Sequence, residues 1–272
     1  MENIRISEIN FYPVKSCAGI SMDTAMVGRM GLKYDRNWMF INEEGSFIAQ
    51  RGDKKVGTKG VKIMCKIGTK ITSESLILTA PDMPELVLPL DDGGVIIHTV
   101  RVWDSFTEGI DQGNQAALWA TEYLSREVPG KYRLVRIPND ANRIARAGSA
   151  NLGFADAYPF LIVSDSSLAD LNSRLEEKLP MNRFRPNIVI TGCDPYFEDT
   201  MPDFSIGGVK FIGMNLCVRC PITTTNQITA EQGKEPLLTL SKYRRTKEGV
   251  VFARNFNHEG IGLISVGDRL IF

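Results

Sequence analysis

Ile4 and Ile6 alternate with polar neighbours, and Ile9 and Phe11 resume the alternation one residue out of step. The pattern predicts a β-strand carrying a bulge near Ser7-Glu8. Trp38-Met39-Phe40-Ile41, the turn-forming Asn42-Glu43-Glu44-Gly45 and Ser46-Phe47-Ile48-Ala49 read as a hairpin with a four-residue loop. Further strands are predicted at Lys70 to Thr72, Leu76 to Leu78 and Val95 to Trp103. Ala117, Ala120, Leu124 and Val128 fall at helical spacing, which predicts a helix over Asn114 to Val128 ended by Pro129-Gly130.

A strand at Tyr132 to Ile137 leads into a polar stretch, Pro138 to Gly153, with few apolar anchors, read as a long loop. Phe160 to Val163 then reads as a strand. A helix opens at Ser164-Asp165, shows one apolar face through Leu168, Leu171, Leu175 and Leu179, and stops at Pro180. Strands recur at Asn187 to Thr191 and Val209 to Gly213, and the segment Ile264 to Phe272 reads as a turn and a strand of the kind that closes a barrel. The fold class is therefore mostly β with peripheral helices.

The chain has 272 residues, and its 32 Lys plus Arg balance 32 Asp plus Glu. That leaves no bulk field to recruit nucleic acid or an anionic membrane. No apolar run approaches the roughly 20 residues that cross a bilayer, and Met1-Glu2-Asn3 leads straight into strand-like sequence, so a soluble, cytoplasmic protein is expected. Five scattered cysteines, Cys17, Cys65, Cys193, Cys217 and Cys220, suit a reducing compartment better than a disulfide framework.

The strongest local signal is Cys217-Val218-Arg219-Cys220-Pro221, followed by Thr223-Thr224-Thr225. A neighbouring guanidinium favours the thiolate, the form that attacks or binds metal. Spacing alone also allows a pair of buried cysteines, half of a zinc site or a redox pair. Zinc needs four ligands, and His98 and His258 are distant in sequence. A redox pair belongs at a helix opening, whereas Pro221 and the β-branched run favour extended chain. Neither histidine has a recognisable nucleophile partner, so hydrolase chemistry is unsupported. Lys15-Ser16, Arg36 and Arg185 sit in turn-like contexts where a cation can hold a phosphate, although Walker and dinucleotide signatures are absent.

In order and spacing, Tyr12-Pro13-Val14-Lys15-Ser16-Cys17, Asp35-Arg36-Asn37-Trp38, Ser167-Leu168-Ala169-Asp170-Leu171-Asn172, Phe184-Arg185-Pro186-Asn187 and Cys217-Val218-Arg219-Cys220 resemble the MOSC-domain proteins, specifically the mitochondrial amidoxime-reducing component family and its bacterial relatives. The resemblance runs essentially end to end. It implies an N-terminal β-rich domain, residues 1–130, packed on a C-terminal MOSC β-barrel domain, residues 131–272. It also implies a molybdenum cofactor, a molybdopterin, whose metal is bound by Cys220 and not Cys217. Lys15, Ser16 and Arg36 are assigned to the pterin phosphate end, and Tyr158, Arg185, Asn187, Arg219 and Asn255 to the rest of the cofactor. Asp156 matches an acidic position near the metal, where a carboxyl could deliver protons. Equally, it could cap a turn before a strand.

The implied activity is reduction of N-hydroxylated or other N-oxygenated substrates, N–OH to N–H plus water. The alternative is a sulfur carrier or cofactor-handling protein bearing a persulfide on Cys220. Two departures are visible: Asn226-Gln227-Ile228-Thr229 replaces an Asp-Pro-containing segment, and Asn255 stands where some relatives have an aromatic residue. No four-cysteine cluster follows Cys220, so electrons are expected from a separate ferredoxin, flavodoxin or haem protein with its reductase. The membrane anchor of the mitochondrial members is not seen. The loop before Asp156 is read as a mobile lid, with Arg143 and Arg146 facing the substrate entrance.

Overall fold

Strand β1 (Arg5–Phe11) carries the expected slip: Ile6 lies opposite Ile190 but Glu8 opposite Val189, leaving Ser7 as the extra residue. Its hydroxyl donates to Val189 O at 3.2 Å. Because of the bulge, Ile6, Ile9 and Phe11 are all buried despite their broken spacing. The computed structural model describes residues 3–55, 57–90 and 97–272. Val95 and Ile96 of the predicted third strand lie outside these, as do Met1 and Glu2.

β1 belongs to a seven-stranded sheet with β2 (Ile20–Met22), β12 (Phe160–Ser164), β13 (Ile188–Thr191), β14 (Phe204–Ile206), β15 (Val209–Val218) and β16 (Val251–Glu259), ordered β14-β15-β16-β12-β13-β1-β2. β12 and β13 run parallel, joined by a crossover containing helix α2 (Asp165–Asn172). Closure comes from the residues after β17 (Gly262–Ser265). Ile6 N donates to Asp268 O at 2.9 Å and Leu270 N to Ile4 O at 3.1 Å, while Ile271 and Ser205 exchange two backbone bonds of 2.8 and 3.1 Å. The tail thus joins β1 to β14 from opposite sides of the sheet order, the barrel closure that the terminal pattern suggested. β17 also pairs with β3 (Thr24–Gly28), which pairs with β4 (Gly31–Leu32).

A second sheet, ordered β5-β11-β10-β9, comprises β5 (Trp38–Ile41), β9 (Ile97–Val102), β10 (Ser105–Asp111) and β11 (Arg133–Arg136). All four residues of β5 are buried, which is why it reads as an unbroken apolar run. Helix α1 (Gly113–Leu124) covers this core with Trp119, Ala120, Tyr123 and Leu124. A meander of β6 (Gly68–Ile71), β7 (Ser75–Thr79) and β8 (Leu86–Pro89) packs into the same core.

Three readings needed adjustment. The second arm of the predicted hairpin forms only bridges, because Phe47 N donates to Arg101 O and so shares its pairing with β9. α2 ends at Asn172, well short of Pro180, since the Asn172 carboxamide bonds both Leu179 N and Leu179 O. The long strand β16 was not anticipated, because its polar Arg254, Asn255 and Asn257 interrupt the alternation.

In the barrel core Phe204 and Phe211 stack with centroids 4.9 Å apart, and Phe160 meets Phe211 edge-on at 5.1 Å. Phe211→Ala is expected to cost about 3–5 kcal/mol in urea denaturation, because Phe211 is 0% exposed. Phe106→Ala, at a residue 67% exposed, should change stability by under about 0.5 kcal/mol.

Candidate active site

After β1 the chain turns at Pro13–Cys17 and is fixed to the start of β5: Trp38 N donates to Pro13 O at 3.0 Å and Lys15 N to Trp38 O at 2.8 Å. Ser16, Arg36 and Arg185 adopt the left-handed conformation, with φ of 68°, 50° and 56°. Such strain in residues other than glycine persists only where surrounding contacts hold it. Here Arg36 binds Asp35 Oδ1 at 2.7 Å, Arg185 Nη1 donates to Cys17 O at 2.7 Å, and both guanidinium groups lie about 4 Å from the Tyr12 ring centroid. Burial pushes the Tyr12 phenol up to about 12, although both arginines oppose the shift.

The Cys217–Cys220 segment leaves the end of β15 and joins this cationic loop by two routes. Arg219 Nη2 donates to Phe184 O at 2.8 Å, beside Arg185, which reaches Cys17. Gln227 and Gln50 exchange reciprocal carboxamide bonds of 3.1 Å, and Gln50 Nε2 also donates to Ser16 O at 2.7 Å. Arg219 Nη1 donates to Cys217 Sγ at 3.0 Å. Even so, burial outweighs Arg219 and raises the Cys217 thiol, so the guanidinium does not make this cysteine a thiolate as the motif suggested.

A carboxylate completes the cluster. The buried Lys15 ammonium donates to Phe154 O at 2.8 Å and to Asp156 Oδ1, and Trp103 Nε1 donates to the same oxygen at 2.8 Å. Burial opposes ionisation of Asp156, but Lys15 and the two hydrogen bonds prevail and hold its carboxyl well below the usual carboxylate range. Burial likewise lowers Lys15, against the attraction of Asp156. All five cysteines are free thiols. Among the described residues no three His, Cys, Asp or Glu side chains gather as a metal-ion site.

Residues 3–127 match the family of the MOSC N-terminal beta barrel domain, and residues 150–271 match the MOSC domain. The chain belongs to the MOSC family. Mitochondrial amidoxime reducing component 2 from Bos taurus is 35% identical over 286 residues, covering 97% of this chain and 81% of the relative. The human component 2 is 35% identical over 284 residues, with coverage of 97% and 82%. Human mitochondrial amidoxime-reducing component 1 is also 35% identical over 284 residues, with coverage of 97% and 81%. Among the described residues of this MOSC chain, no helix is long and apolar enough to cross a membrane.

The MOSC fold brings Lys15, Ser16, Arg36, Arg185, Arg219, Cys220 and Asp156 into the network just described. Asn187 is buried between strands, its carboxamide bonding Leu161 N and Asn10 O. Tyr158 packs on Ala145, Ala150, Leu152 and Ala155, and Asn255 bonds Asn215 across β15 and β16. The lid reading of Arg143 is corrected. Arg143 is buried, and its Nη1 donates to Gly153 O at 2.8 Å and Ala155 O at 2.6 Å, so it faces the protein and not the entrance. Arg146 is exposed.

Gln50, Arg51 and Trp103 were missed in the sequence. Their weak signal is a bulky aromatic in a turn, Trp103-Asp104-Ser105, and polar groups directly after the apolar Phe47-Ile48-Ala49. A concavity of about 900 Å³ lined by Ile41, His98, Leu118, Tyr132 and Arg133 contains none of these site residues.

The Asp156 carboxyl, depressed in the folded protein, contributes stability that is full above its unfolded value of about 4 and lost as pH falls through the lower folded value. Asp156→Asn should therefore be less stable than wild type by about 1 kcal/mol at pH 7, a modest figure because the side chain keeps an exposed face. Urea denaturation across pH should show that difference shrinking below about pH 4.

Proposed function

We propose that this MOSC protein holds a molybdenum–pterin cofactor through the Cys220 thiolate and uses it to reduce N-hydroxylated compounds to the N–H form plus water. The reading is supported by relatives named for amidoxime reduction that match 97% of the chain. The observation that carries it is Arg219, next to Cys220, whose buried Nε has no partner among the described residues. Arg51 Nε is in the same condition. Buried guanidinium donors without acceptors fit an anionic ligand.

The donor set fits this cofactor. It brings its own dithiolene sulfurs and a phosphate, so one soft thiolate and a cationic cradle are what the protein must add. Cys220 would supply the thiolate. Lys15, Ser16 and Arg36 would hold the phosphate end, with Tyr158, Arg185, Asn187, Arg219 and Asn255 around the rest. When bound, the metal supplies two-electron chemistry coupled to removal of the oxygen atom. The chain itself fixes the cradle: Gln50–Gln227 and Arg185–Cys17 keep the cationic loop and the Cys220 segment together, and Asp156 places a fixed negative charge beside them.

Protein made in a molybdenum-replete host should contain about one molybdenum per chain, lost in Cys220→Ala, by elemental analysis. Metal-free wild type with a trappable persulfide on Cys220 would sink the reductase reading and favour a sulfur carrier.

Electrons would come from a separate redox protein, a ferredoxin, flavodoxin or haem protein with its reductase. Purified protein given NADH alone is expected to leave an N-hydroxylated substrate unreduced, and turnover should appear when such a carrier and its reductase are added. Turnover with NADH and no second protein would refute this.

A further inference from the structure

Residues 153–156 are held by an unusual set of donors. Arg143 Nη1 binds the carbonyls of Gly153 and Ala155, the Lys15 ammonium binds the carbonyl between them, and Phe154 N donates to Arg36 O at 2.6 Å. Asp156 follows, and its Oδ1 accepts from both Lys15 and Trp103. Its Oδ2 takes no hydrogen bond from any described residue, and the side chain is 55% exposed. One oxygen is therefore clamped while the other is presented. Rotation about the side chain would break two bonds from one buried cation and one indole.

Trp103 is itself under constraint. Its φ of 55° is strained for a residue with a side chain, and its ring lies 4.4 Å from Phe47 and 4.1 Å from the Arg51 guanidinium. Strain of this kind costs about 1–3 kcal/mol and survives where the surroundings over-determine it. The result is an indole N–H aimed at Asp156 Oδ1.

The geometry points to Asp156 Oδ2 as the acceptor that selects substrates carrying an N–H donor beside the N–O bond, namely N-hydroxylated amidines and guanidines, with Trp103 and Arg143 as positioning residues. This rests on the reductase reading above. An amidoxime offers its amino hydrogen to a fixed anionic acceptor. A substrate without that hydrogen leaves the carboxylate desolvated and unpaired, and sites built around a hydrogen bond discriminate strongly against such analogues. The carboxylate is held ionised by Lys15, so its role is to accept a hydrogen bond and not to deliver a proton.

Benzamidoxime and its N,N-dimethyl analogue share the N–OH bond and differ in the amino hydrogens. With reduced methyl viologen as electron source and rates expressed per molybdenum, wild type should show a KM for benzamidoxime at least about tenfold lower. Asp156→Asn keeps an oxygen for Lys15 and Trp103 but turns an amide N–H outward. It should raise KM for benzamidoxime about 10- to 100-fold and that for the dimethyl analogue less than about threefold. Trp103→Phe keeps the ring, drops the donor and should give a smaller shift of the same pattern. Calorimetric binding of benzamidine, the cationic product, should weaken at least about tenfold in Asp156→Asn. Equal KM shifts for the two substrates, or unchanged benzamidine binding, would overturn the assignment. If molybdenum-loaded wild type reduced neither substrate, the reductase reading would fall, and benzamidine binding would still decide the role of Asp156.

Discussion

A buried ammonium is the constraint on which this site is organised. Lys15 is 5% exposed, and a charge that far from water must be met by an opposite charge and by oriented dipoles. Asp156 supplies the charge and the Phe154 carbonyl the dipole. These partners lie about 140 residues away, so satisfying one side chain ties the loop after β1 to the segment before β12. Arg143 does the same for the flanking carbonyls, and Arg185 for the carbonyl of Cys17. The site is assembled by cations reaching for main-chain oxygen across sequence distance.

That logic separates what could be read from the sequence from what could not. The bulge at Ser7-Glu8, the ends of α1 and the closing tail follow from local periodicity and turn chemistry, so they were legible. The cationic positions and the cysteine motif were legible as motifs, because order and spacing survive without coordinates. Arg143 was misread because a polar loop with a charged residue looks the same whether that charge faces water or three inward carbonyls. Trp103 and Gln50 carry no local signature at all. Their importance arises from partners at Asp156 and Gln227, far away in the chain.

The departure at Asn226-Gln227-Ile228-Thr229 has a local account. Asn226 Oδ1 accepts from Ile228 N at 2.9 Å and Thr229 N at 3.2 Å, a self-contained Asx turn, while Gln227 pairs with Gln50. Neutral amides thus perform the latching. They leave the positive charge of Lys15, Arg36, Arg185 and Arg219 to be balanced by Asp35, Asp156 and whatever anion enters.

The tail that joins β1 to β14 sets an order of events during synthesis. Ile4 and Ile6 emerge first, yet their backbone partners are Asp268 and Leu270. Contacts so distant in sequence form late, after the loop-closure entropy of nearly the whole chain has been overcome. Until the ribosome has released those last residues, β1 has an open flank, and the Lys15 loop that follows it lacks a finished barrel to lean on. Insertion of any ligand into that loop is therefore a post-translational event, and nascent chains rely on other means to keep the uncovered strand edge from pairing with neighbours.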